Sequence, residues 1–478
     1  MFELASSIVF PVLCQEDDME RIDLRAAAGE LDSLHGRFAP RFGRREAREH
    51  SLTYVRGLLL AEGRKNVERM ALQLVPRDTD EALDRQADVL AIQRFLTLAP
   101  WEATDVQTEI QAVFAEEFVP AAPQWPLGTV GVLDESSFLK QGTESVGVSR
   151  QWCGRHGKVA NCQTGVFLIG VTPAGTALLE HQLFLPEDWA ADAARRHKTR
   201  VPPEVTFLTK PQIARQLLER VAAHGAVQFD WITADEGYGR SGEWFDWLDA
   251  QGQRYVIEIP VNISFAVSPP QRLTPDETVH QAQEIAATLP ARVWETLSLR
   301  EGTKGPLAFA FARVRVYAVR HGHMAGPCWL LMRRGLEPDS KIQFYVSNAS
   351  EDVPLETLAL VTGVRHKVEE FFEDGKGHLG MADYEARSWT SWHHHMSLVA
   401  LAHLYVTQVR RKVGHDIPDL TLDMAVRIVQ AALERPTLAP GESLQIIEYH
   451  LERNHIARKA HRKKWLRKNR RRKFKPLL

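Results

Sequence analysis

The sequence predicts an α/β protein with a mixed central sheet, and three observations support this fold class. Five short apolar runs, rich in β-branched and aromatic residues, occur between residues 129 and 260. Helical patterns precede the fourth and the fifth run, whereas the first three runs follow one another directly. Further helical patterns lie before and after this region. Three strands, helix, strand, helix, strand is the element order of a ribonuclease H-like fold.

Length and composition indicate a globular protein of several domains. The chain has 478 residues, of which 44% are hydrophobic and 25% charged, and this length predicts two to four domains. No apolar run reaches the roughly 18 residues that a spanning helix needs. The start MFELASSIVFPVLC has no basic leader, and four cysteines do not indicate a disulfide scaffold. We therefore expect a protein of a reducing, cytoplasmic compartment with no membrane partner.

Helical periodicity dominates residues 1–117. The stretches SLTYVRGLLLAEGRKNVERMALQL and DEALDRQADVLAIQRFLTLAPW carry apolar residues at helical spacing. Residues 118–128 include three prolines within seven positions, which is typical of a linker. We therefore expect an all-helical N-terminal domain over 1–117, followed by a linker.

The period of the apolar pattern changes after the linker. Residues 129–290 are assigned to the first part of the ribonuclease H-like core. Residues 291–349 predict a β-rich insertion, since in RVRVYAVR basic residues interrupt an apolar pattern as on a half-buried strand. Residues 350–410 supply apolar helices that suit packing against a sheet and form the second part of the core. Residues 411–478 predict a helical C-terminal region with a basic tail.

The basic tail makes the net charge of −2 misleading. From Arg453 to Leu478 the chain has 13 Lys and Arg and no Asp or Glu, so the remainder holds 46 basic and 61 acidic residues. Such a concentration of charge is favourable beside a polyanion, and nucleic acid is the obvious one. Arg462, Lys463 and Lys464 are candidate contacts to the DNA backbone. A solvated tail without a specific role is the alternative interpretation.

Two of the predicted strands end in aspartate. Asp134 lies in VGVLDES and Asp235 in WITADEG. Reactive groups collect at the carboxyl ends of parallel strands in an open sheet. Either residue alone could be a helix cap or a turn former. Two such acids on strands that are neighbours in a ribonuclease H-like order are stronger evidence for a site.

The stretch RHKVEEFFEDGKGHLG, residues 365–380, offers a third acid. At about 100° per residue, Arg365, Glu369 and Lys376 share one helix face. Glu370 points well away from Arg365, and we expect it and the remaining acids of the stretch to form a solvated face. Glu369 is therefore the acid best placed to approach the sheet.

Three carboxylates in one cleft would repel one another unless cations lay between them. Oxygen ligands suit Mg²⁺ or Mn²⁺. Two such ions can activate an attacking oxygen and stabilise a leaving one in phosphodiester displacement. Arg365 and Lys376 would hold phosphates. Together, these residues predict metal-dependent cleavage of nucleic-acid strands.

These residues resemble the insertion-sequence transposases of the DDE superfamily that carry a Tyr-x2-Arg-x3-Glu-x6-Lys signature after the second aspartate. Arg365, Glu369 and Lys376 match this signature at the required spacing, whereas Thr362 stands at the tyrosine position and His366 where a tryptophan often follows the arginine. The strings LDESSFLKQGTESVGVSRQWCGRHGKVANCQ, ADEGYG, GTKGP and SWHHHMSLVALAHLYV are similar to one subgroup of these transposases.

The resemblance implies a site, cofactors and partners. It implies that Asp134, Asp235 and Glu369 are the DDE triad and that they bind two Mg²⁺ or Mn²⁺ ions per active site. It also implies a bacterial transposase that binds terminal inverted repeats through its helical N-terminal domain, cleaves DNA there and transfers strands to target DNA. Synapsis of two transposon ends implies at least a dimer. A domesticated relative that binds DNA without cleaving it is the alternative function.

Several other motifs have competing interpretations. GYGRSG, residues 237–242, matches a dinucleotide-binding fingerprint with Glu258 about 20 residues on, but the acids before it would repel a pyrophosphate. Cys153, His156 and Cys162 suggest zinc, although no second ligand pair has the usual spacing. Lys304, in a predicted hairpin, is either a phosphate contact or an ordinary turn lysine.

In some relatives, the aromatic residues of the signature handle a flipped base. Because this chain has Thr362 and His366 there, the resemblance leaves another aromatic residue, such as Trp294 or Trp329, as a candidate for this role. His393, His394 and His395 occupy consecutive helical positions and cannot all face one ion. We expect these three histidines to face DNA or solvent at the start of a helix.

Overall fold

The computed structural model describes residues 24–74, 85–267, 279–302, 305–321, 323–337, 339–414, 420–433 and 440–468. In these ranges the α-helices are α1 (Leu24–Phe38), α2 (Arg45–Leu60), α3 (Val67–Leu74), α4 (Arg85–Thr97), α5 (Ala103–Glu117), α6 (Glu187–Ala191), α7 (Ala193–Thr199), α8 (Lys210–His224), α9 (Gly242–Ala250), α10 (Ala282–Thr288), α11 (Leu355–Val364), α12 (His366–His378), α13 (Trp389–Gly414), α14 (Leu422–Ala432) and α15 (Pro440–Lys468). Within this part of the chain, no helix combines the length and the apolarity that crossing a membrane requires.

The strands of the described ranges form one mixed sheet. They are β1 (Val130–Leu139), β2 (Ser149–Cys153), β3 (Lys158–Thr172), β4 (Gly175–Leu183), β5 (Trp231–Ala234), β6 (Tyr255–Ile259), β7 (Ser264–Ala266), β8 (Val279–Gln281), β9 (Glu295–Gly302), β10 (Gly305–Arg320), β11 (His323–Arg334) and β12 (Gln343–Ser347). One half of the sheet has the order β4-β3-β1-β5-β6. In this half β1 pairs in parallel with β5, and β5 with β6, whereas β3 is antiparallel to both β1 and β4. The predicted α/β class with a ribonuclease H-like core is confirmed.

The predicted β-rich insertion prolongs the core sheet. Strand β12 pairs antiparallel with β6, and β11 and β10 follow in order. Strands β7 and β8, which precede residue 291, pair at the far edge beside β10. The insertion therefore shares main-chain hydrogen bonds with the core, and its strands begin one strand away from β5.

Strand β2 was not predicted. Its sequence, SRQWC, is short and mostly polar, so it lacks the apolar run by which the other core strands were recognised. It pairs with the first residues of β3, next to β4 on the same edge. Pairing, rather than the local pattern, makes this segment a strand.

The expectation that His393, His394 and His395 face DNA or solvent is wrong. His394 and His395 are fully buried and His393 is half-buried, near the start of α13. Burial lowers the pKa of His393 and His395 to about 3 and that of His394 to about 4, so all three rings are neutral near pH 7. The physical reason is that α13 is apolar nearly all round, as a helix enclosed by other elements must be.

Two of these histidines join the N-terminal helices to the core. The Nδ1 atom of His395 lies 2.8 Å from the hydroxyl of Tyr54 in α2. The ring nitrogens of His394 lie 2.9 and 2.7 Å from the carbonyl oxygens of Leu96 and Trp101. Residues 118–128, predicted as a linker, include the buried side chains of Phe118 and Leu127. The N-terminal helices therefore pack directly on α13.

Candidate active site

Two aspartates lie side by side where the parallel pairing of β1 and β5 ends. The pairing runs from Val130 with Trp231 to Leu133 with Ala234, so Asp134 and Asp235 are the next residue on each strand. Strand β1 itself continues to Leu139, paired with β3. The prediction that this strand ends at Asp134 is therefore wrong, because β3 supports β1 beyond the point where β5 stops.

Helix α12 brings Glu369 to the same side of the sheet as Asp134. The ring of Phe372 packs edge-on against Phe167, at 5.3 Å between centroids, and Phe167 is the cross-strand partner of Asp134. The Nη1 atom of Arg365 lies 3.4 Å from Oδ2 of Asp134. The Nη2 atom of Arg365 donates to Oε1 of Glu369 at 3.1 Å. One guanidinium thus joins a residue of β1 to a residue of α12.

Lys376 reaches β1 two positions beyond Asp134. Its ammonium donates to the hydroxyl of Ser136 at 2.7 Å and lies 5.3 Å from the ring centre of Phe138. Because side chains alternate along a strand, Ser136 and Phe138 share a face with Asp134. The signature lysine therefore lies on the same face of β1 as Asp134.

Glu258 on β6 is a fourth acid at this site, which the sequence analysis considered only as part of a dinucleotide-binding fingerprint. Its Oε2 atom lies 3.9 Å from Nε of Arg365, and its Oε1 atom accepts a hydrogen bond of 3.2 Å from Gln343. Arg365 is therefore surrounded by the carboxylates of Asp134, Glu258 and Glu369. The signal was available, because Glu258 lies on the third parallel strand, in YVIEIP.

Burial disfavours the ionised form of several carboxylates at the site. Burial, and secondarily the nearby charge of Asp235, raises the pKa of Asp134 to about 7, against the opposing effect of Arg365. Burial also raises the pKa of Glu258. It raises the pKa of Glu135 as well, even though Glu135 forms an ion pair with Lys210 at the start of α8. The site therefore holds more buried negative charge than its own cations neutralise.

The donor set suits a hard divalent cation only in part. Asp134 and Asp235 offer oxygen ligands on adjacent strands, which are the ligands that Mg²⁺ and Mn²⁺ prefer. Glu369 is 56% exposed and is paired with Arg365. In the part of the chain that the structure describes, no three His, Cys, Asp or Glu side chains converge in a geometry ready for a metal ion. The two aspartates fit such an ion, whereas the carboxylate of Glu369 is engaged by Arg365.

The remaining acids of α12 do not all form a solvated face. Glu370 is half-buried and forms ion pairs with Lys367 at 2.7 Å, His366 at 3.1 Å and Arg300 at 3.4 Å. Burial alone would raise the pKa of Glu370, but hydrogen bonds from His366 and Lys367 lower it to about 2. The predicted solvation of Glu370 is wrong, because cations from β9 and from its own helix surround it. Glu373 is exposed, as predicted.

The three candidate DNA contacts of the basic tail lie on a different helix from Glu369. Arg462, Lys463 and Lys464 are exposed in the second half of α15. The first half of this helix is tied to α3, where the hydroxyl of Tyr449 donates to Glu68 at 2.8 Å. Lys304 lies outside the described residues.

The glycines of GYGRSG have a packing role. A Cβ atom on Gly239 would lie 1.9 Å from the carbonyl oxygen of Glu258, so the loop approaches β6 as closely as only glycine allows. The backbone N–H of Gly237 donates to Oδ1 of Asp235 at 2.9 Å. Both glycines thus serve the positioning of acids, which accounts for the motif without a dinucleotide.

Comparisons with known proteins indicate the family of this chain. The sequence model of the DDE superfamily endonuclease family matches residues 37–307. A protein of Microchaete diplosiphon, described as a probable transposase for insertion sequence element IS701, is 26% identical over 183 residues. The aligned segment is 38% of this chain and 43% of that relative, so it spans less than half of the relative's length. The family match covers more than half of the chain and includes Asp134 and Asp235.

Proposed function

The chain belongs to the DDE superfamily of endonucleases, and we propose that it is the transposase of an insertion sequence. It would bind the terminal inverted repeats of its element, cleave DNA there and join the freed 3′ hydroxyls to target DNA. The similarity to a probable insertion-sequence transposase supports this choice within the family. The bridge from Asp134 through Arg365 to Glu369, with Asp235 on the adjacent strand, is the observation that carries the proposal.

In this proposal Asp134, Asp235 and Glu369 are the catalytic carboxylates. DDE superfamily endonucleases generally use divalent metals, and these three residues would hold them. When bound, two such ions supply activation of the attacking oxygen and stabilisation of the leaving oxygen. The raised pKa of Asp134 supports this role, because a buried and repelled carboxylate gains from a nearby cation.

The basic residues of the chain would position DNA. Arg365 lies within reach of the carboxylates and can turn its planar guanidinium toward a phosphate, for which its geometry is well suited. Lys376, beside Ser136, would contact a second phosphate. The exposed basic half of α15 would contact the DNA backbone farther from the cleavage site. Such phosphate contacts depend on salt concentration rather than on base sequence. Synapsis of two ends would require at least two copies of the chain.

Cleavage of DNA that carries the element's ends tests the proposal. With Mg²⁺ or Mn²⁺, the unaltered protein should nick labelled end DNA. Asp134→Asn, Asp235→Asn and Glu369→Gln should each abolish nicking, while DNA affinity stays within about twofold, because each change removes one ionised carboxylate and nearly preserves shape. Glu373→Gln, an exposed acid of the same helix, is the matched control and should cleave normally. Retained cleavage in all three carboxylate variants would contradict the site.

The same assay separates the alternative function. A DNA-binding regulator without nuclease activity would bind the ends with the affinity of the three variants and cleave with neither Mg²⁺ nor Mn²⁺. Cleavage that is lost in the variants and retained in the control would exclude this alternative.

A further inference from the structure

The hairpin of β2 and β3, residues 149–162, presents a bare aromatic ring to solvent. Trp152 is 58% exposed, and its cross-strand partner Val159 is 49% exposed. Among the tryptophans whose side chains the structure describes, Trp152 alone belongs to the exposed class. An exposed tryptophan packed on an exposed valine is an apolar surface that solvation alone does not favour.

The two tryptophans that the sequence analysis proposed for handling a base are already covered. The ring of Trp329 lies 4.2 Å from the guanidinium of Arg313, and that of Trp294 lies 4.1 Å from the guanidinium of Arg334. Both rings are also partly buried. Among the side chains that the structure describes, no guanidinium covers Trp152, and its ring is 58% exposed and open to a partner.

The strand register places Trp152 on the active-site face of the sheet. Asp134 pairs with Phe167 on β3, and Val159 lies eight residues earlier on the same strand. Because side chains alternate, an even separation leaves Phe167 and Val159 on one face. Trp152, directly opposite Val159, shares this face with Asp134.

The same register gives the distance between the hairpin and the acids. Eight residues of β3 correspond to about 26 Å along the strand at about 3.3 Å per residue. The hairpin lies beyond Asp134 in the direction in which β1 runs, toward the end of the sheet that carries Asp235. About 26 Å is the length of roughly eight stacked base pairs at about 3.4 Å each. A duplex that lies along β3 from the acids would therefore reach the hairpin within one helical turn.

The charge of the hairpin suits nucleic acid. Residues 149–162 contain two arginines and one lysine, and they contain no aspartate or glutamate. Arg150 is exposed and lies two residues before Trp152, so it shares the face of the Trp152–Val159 pair, whereas the exposed Lys158, next to Val159, lies on the opposite face. Basic side chains around an aromatic ring combine phosphate contacts with stacking on bases.

We propose that the hairpin of residues 149–162 is a DNA-contacting arm, in which Trp152 inserts its ring at a base step and Arg150, on the same face, contacts a phosphate. The arm touches DNA about eight base pairs from the scissile phosphate. This inference rests on the proposed function to the extent that DNA bound at the acids is the substrate.

Binding of a labelled duplex that carries the element's end tests the arm. Measurements are made without divalent ions, so that cleavage does not interfere. Trp152→Ala should weaken binding about tenfold, because it removes the apolar ring that inserts at a base step, whereas Trp152→Phe should stay within about twofold. Leu336→Ala, at another side chain that is 58% exposed, is the matched control and should bind normally. Equal affinities for Trp152→Ala and the unaltered protein would overturn the proposal.

The salt dependence of binding tests the basic residue beside Trp152. Arg150→Gln should make the slope of log affinity against log salt concentration less steep by about 0.9. Lys158→Gln, on the opposite face of the hairpin, should leave this slope unchanged. Trp152→Ala should leave this slope unchanged. If Trp152→Ala instead changed the sedimentation of the DNA-free protein and left DNA affinity intact, the surface would be a protein interface and the proposal would be wrong.

A fluorescent base analogue locates the contact and separates this proposal from the proposed function. An analogue placed about eight base pairs from the cleavage site should change its emission with the unaltered protein and not with Trp152→Ala. An emission change that depends on Trp152, in a protein that never cleaves DNA, would support DNA contact by the hairpin and contradict the proposed nuclease function. Normal cleavage without any signal that depends on Trp152 would contradict only the arm.

Discussion

The guanidinium of Arg365 lies 3.4 Å from the carboxylate of Asp134, although 231 residues separate them along the chain. The same group donates to Glu369 one turn further along α12. In the absence of DNA, Arg365 therefore neutralises two of the proposed catalytic carboxylates. A divalent ion that uses both would have to compete with this resident cation.

Removal of Arg365 should tighten metal binding in the absence of DNA. In Arg365→Gln the affinity for Mn²⁺ should rise by at least about tenfold, because a positive charge within 4 Å of the ligands is lost. Titration with Mn²⁺, followed by electron paramagnetic resonance, measures free ion directly. Lys367→Gln is the control, because Lys367 pairs with Glu370 on the same helix. An affinity equal to that of the unaltered protein would contradict the competition.

Neutralisation of Asp134 should stabilise the metal-free protein. The pKa of Asp134 is raised to about 7 in the folded protein, so the folded state binds this proton more tightly than the unfolded chain does. The resulting stabilisation is fully present below the pKa of the unfolded chain and is lost as pH rises through about 7. At pH 8 with chelator, Asp134→Asn should increase the free energy of unfolding by roughly 2–4 kcal/mol. Urea unfolding measures this, with the exposed Asp188→Asn as control. A loss of stability in Asp134→Asn would show that the buried carboxylate is well compensated.

Glu258 should act through Arg365. Glu258→Gln should lower the cleavage rate about tenfold and leave DNA affinity unchanged, because Arg365 loses one of the charges that hold it. In an Arg365→Gln background, Glu258→Gln should have no further effect on the rate, which a double-mutant cycle measures. Additive effects of the two substitutions would show that Glu258 acts independently.

The buried histidines should make stability depend on pH. Burial lowers the pKa of His393, His394, His395 and His403 well below 6.5. As pH falls, the histidines of the unfolded chain bind protons at a higher pH than those of the folded protein. The free energy of unfolding is therefore unaffected by them above about pH 6.5 and decreases as pH drops toward 4. Each histidine should add a slope approaching 1.4 kcal/mol per pH unit in this window. Urea unfolding between pH 7.5 and 4.5 measures the total, and a flat profile would contradict the burial.

His394 gives the matched substitution for this pH effect. Its ring nitrogens contact the carbonyls of Leu96 and Trp101, which ties α13 to the N-terminal helices. His394→Gln should lower the free energy of unfolding at pH 7.5. It should also reduce the slope of this free energy against pH by the contribution of one histidine. An unchanged slope would show that His394 does not contribute to the proton uptake on unfolding.

The sequence predicted the elements whose patterns are local. The adjacent positions of Asp134 and Asp235 could be predicted because each follows an apolar run on a parallel strand, and the position of Glu369 beside Arg365 because a helix turns about 100° per residue. Strand β2 and the buried histidines could not be found in this way. SRQWC becomes a strand only through pairing with β3, and the histidines are enclosed by helices that lie some 300 residues away in the chain.

Glu258 shows the limit of reasoning from one motif. It was considered only as a partner of the GYGRSG glycines, whereas the structure places it beside Arg365 through the β5–β6 pairing. Sheet order, once predicted, already implied that acids on three adjacent parallel strands would lie at one end of the sheet. The position of Arg365 between them depends on the side chains of α12, which no pattern in the sequence specifies.

A change of metal preference tests the central claim most directly. Cysteine thiolate is a soft ligand, so Asp134→Cys, Asp235→Cys and Glu369→Cys should each be inactive with Mg²⁺ and regain DNA cleavage with Mn²⁺. Glu373→Cys should cleave equally with either ion. Recovery with Mn²⁺ at all three positions is the result expected if these side chains bind the metal of one active site. Full activity of Glu369→Cys with Mg²⁺ would contradict the account.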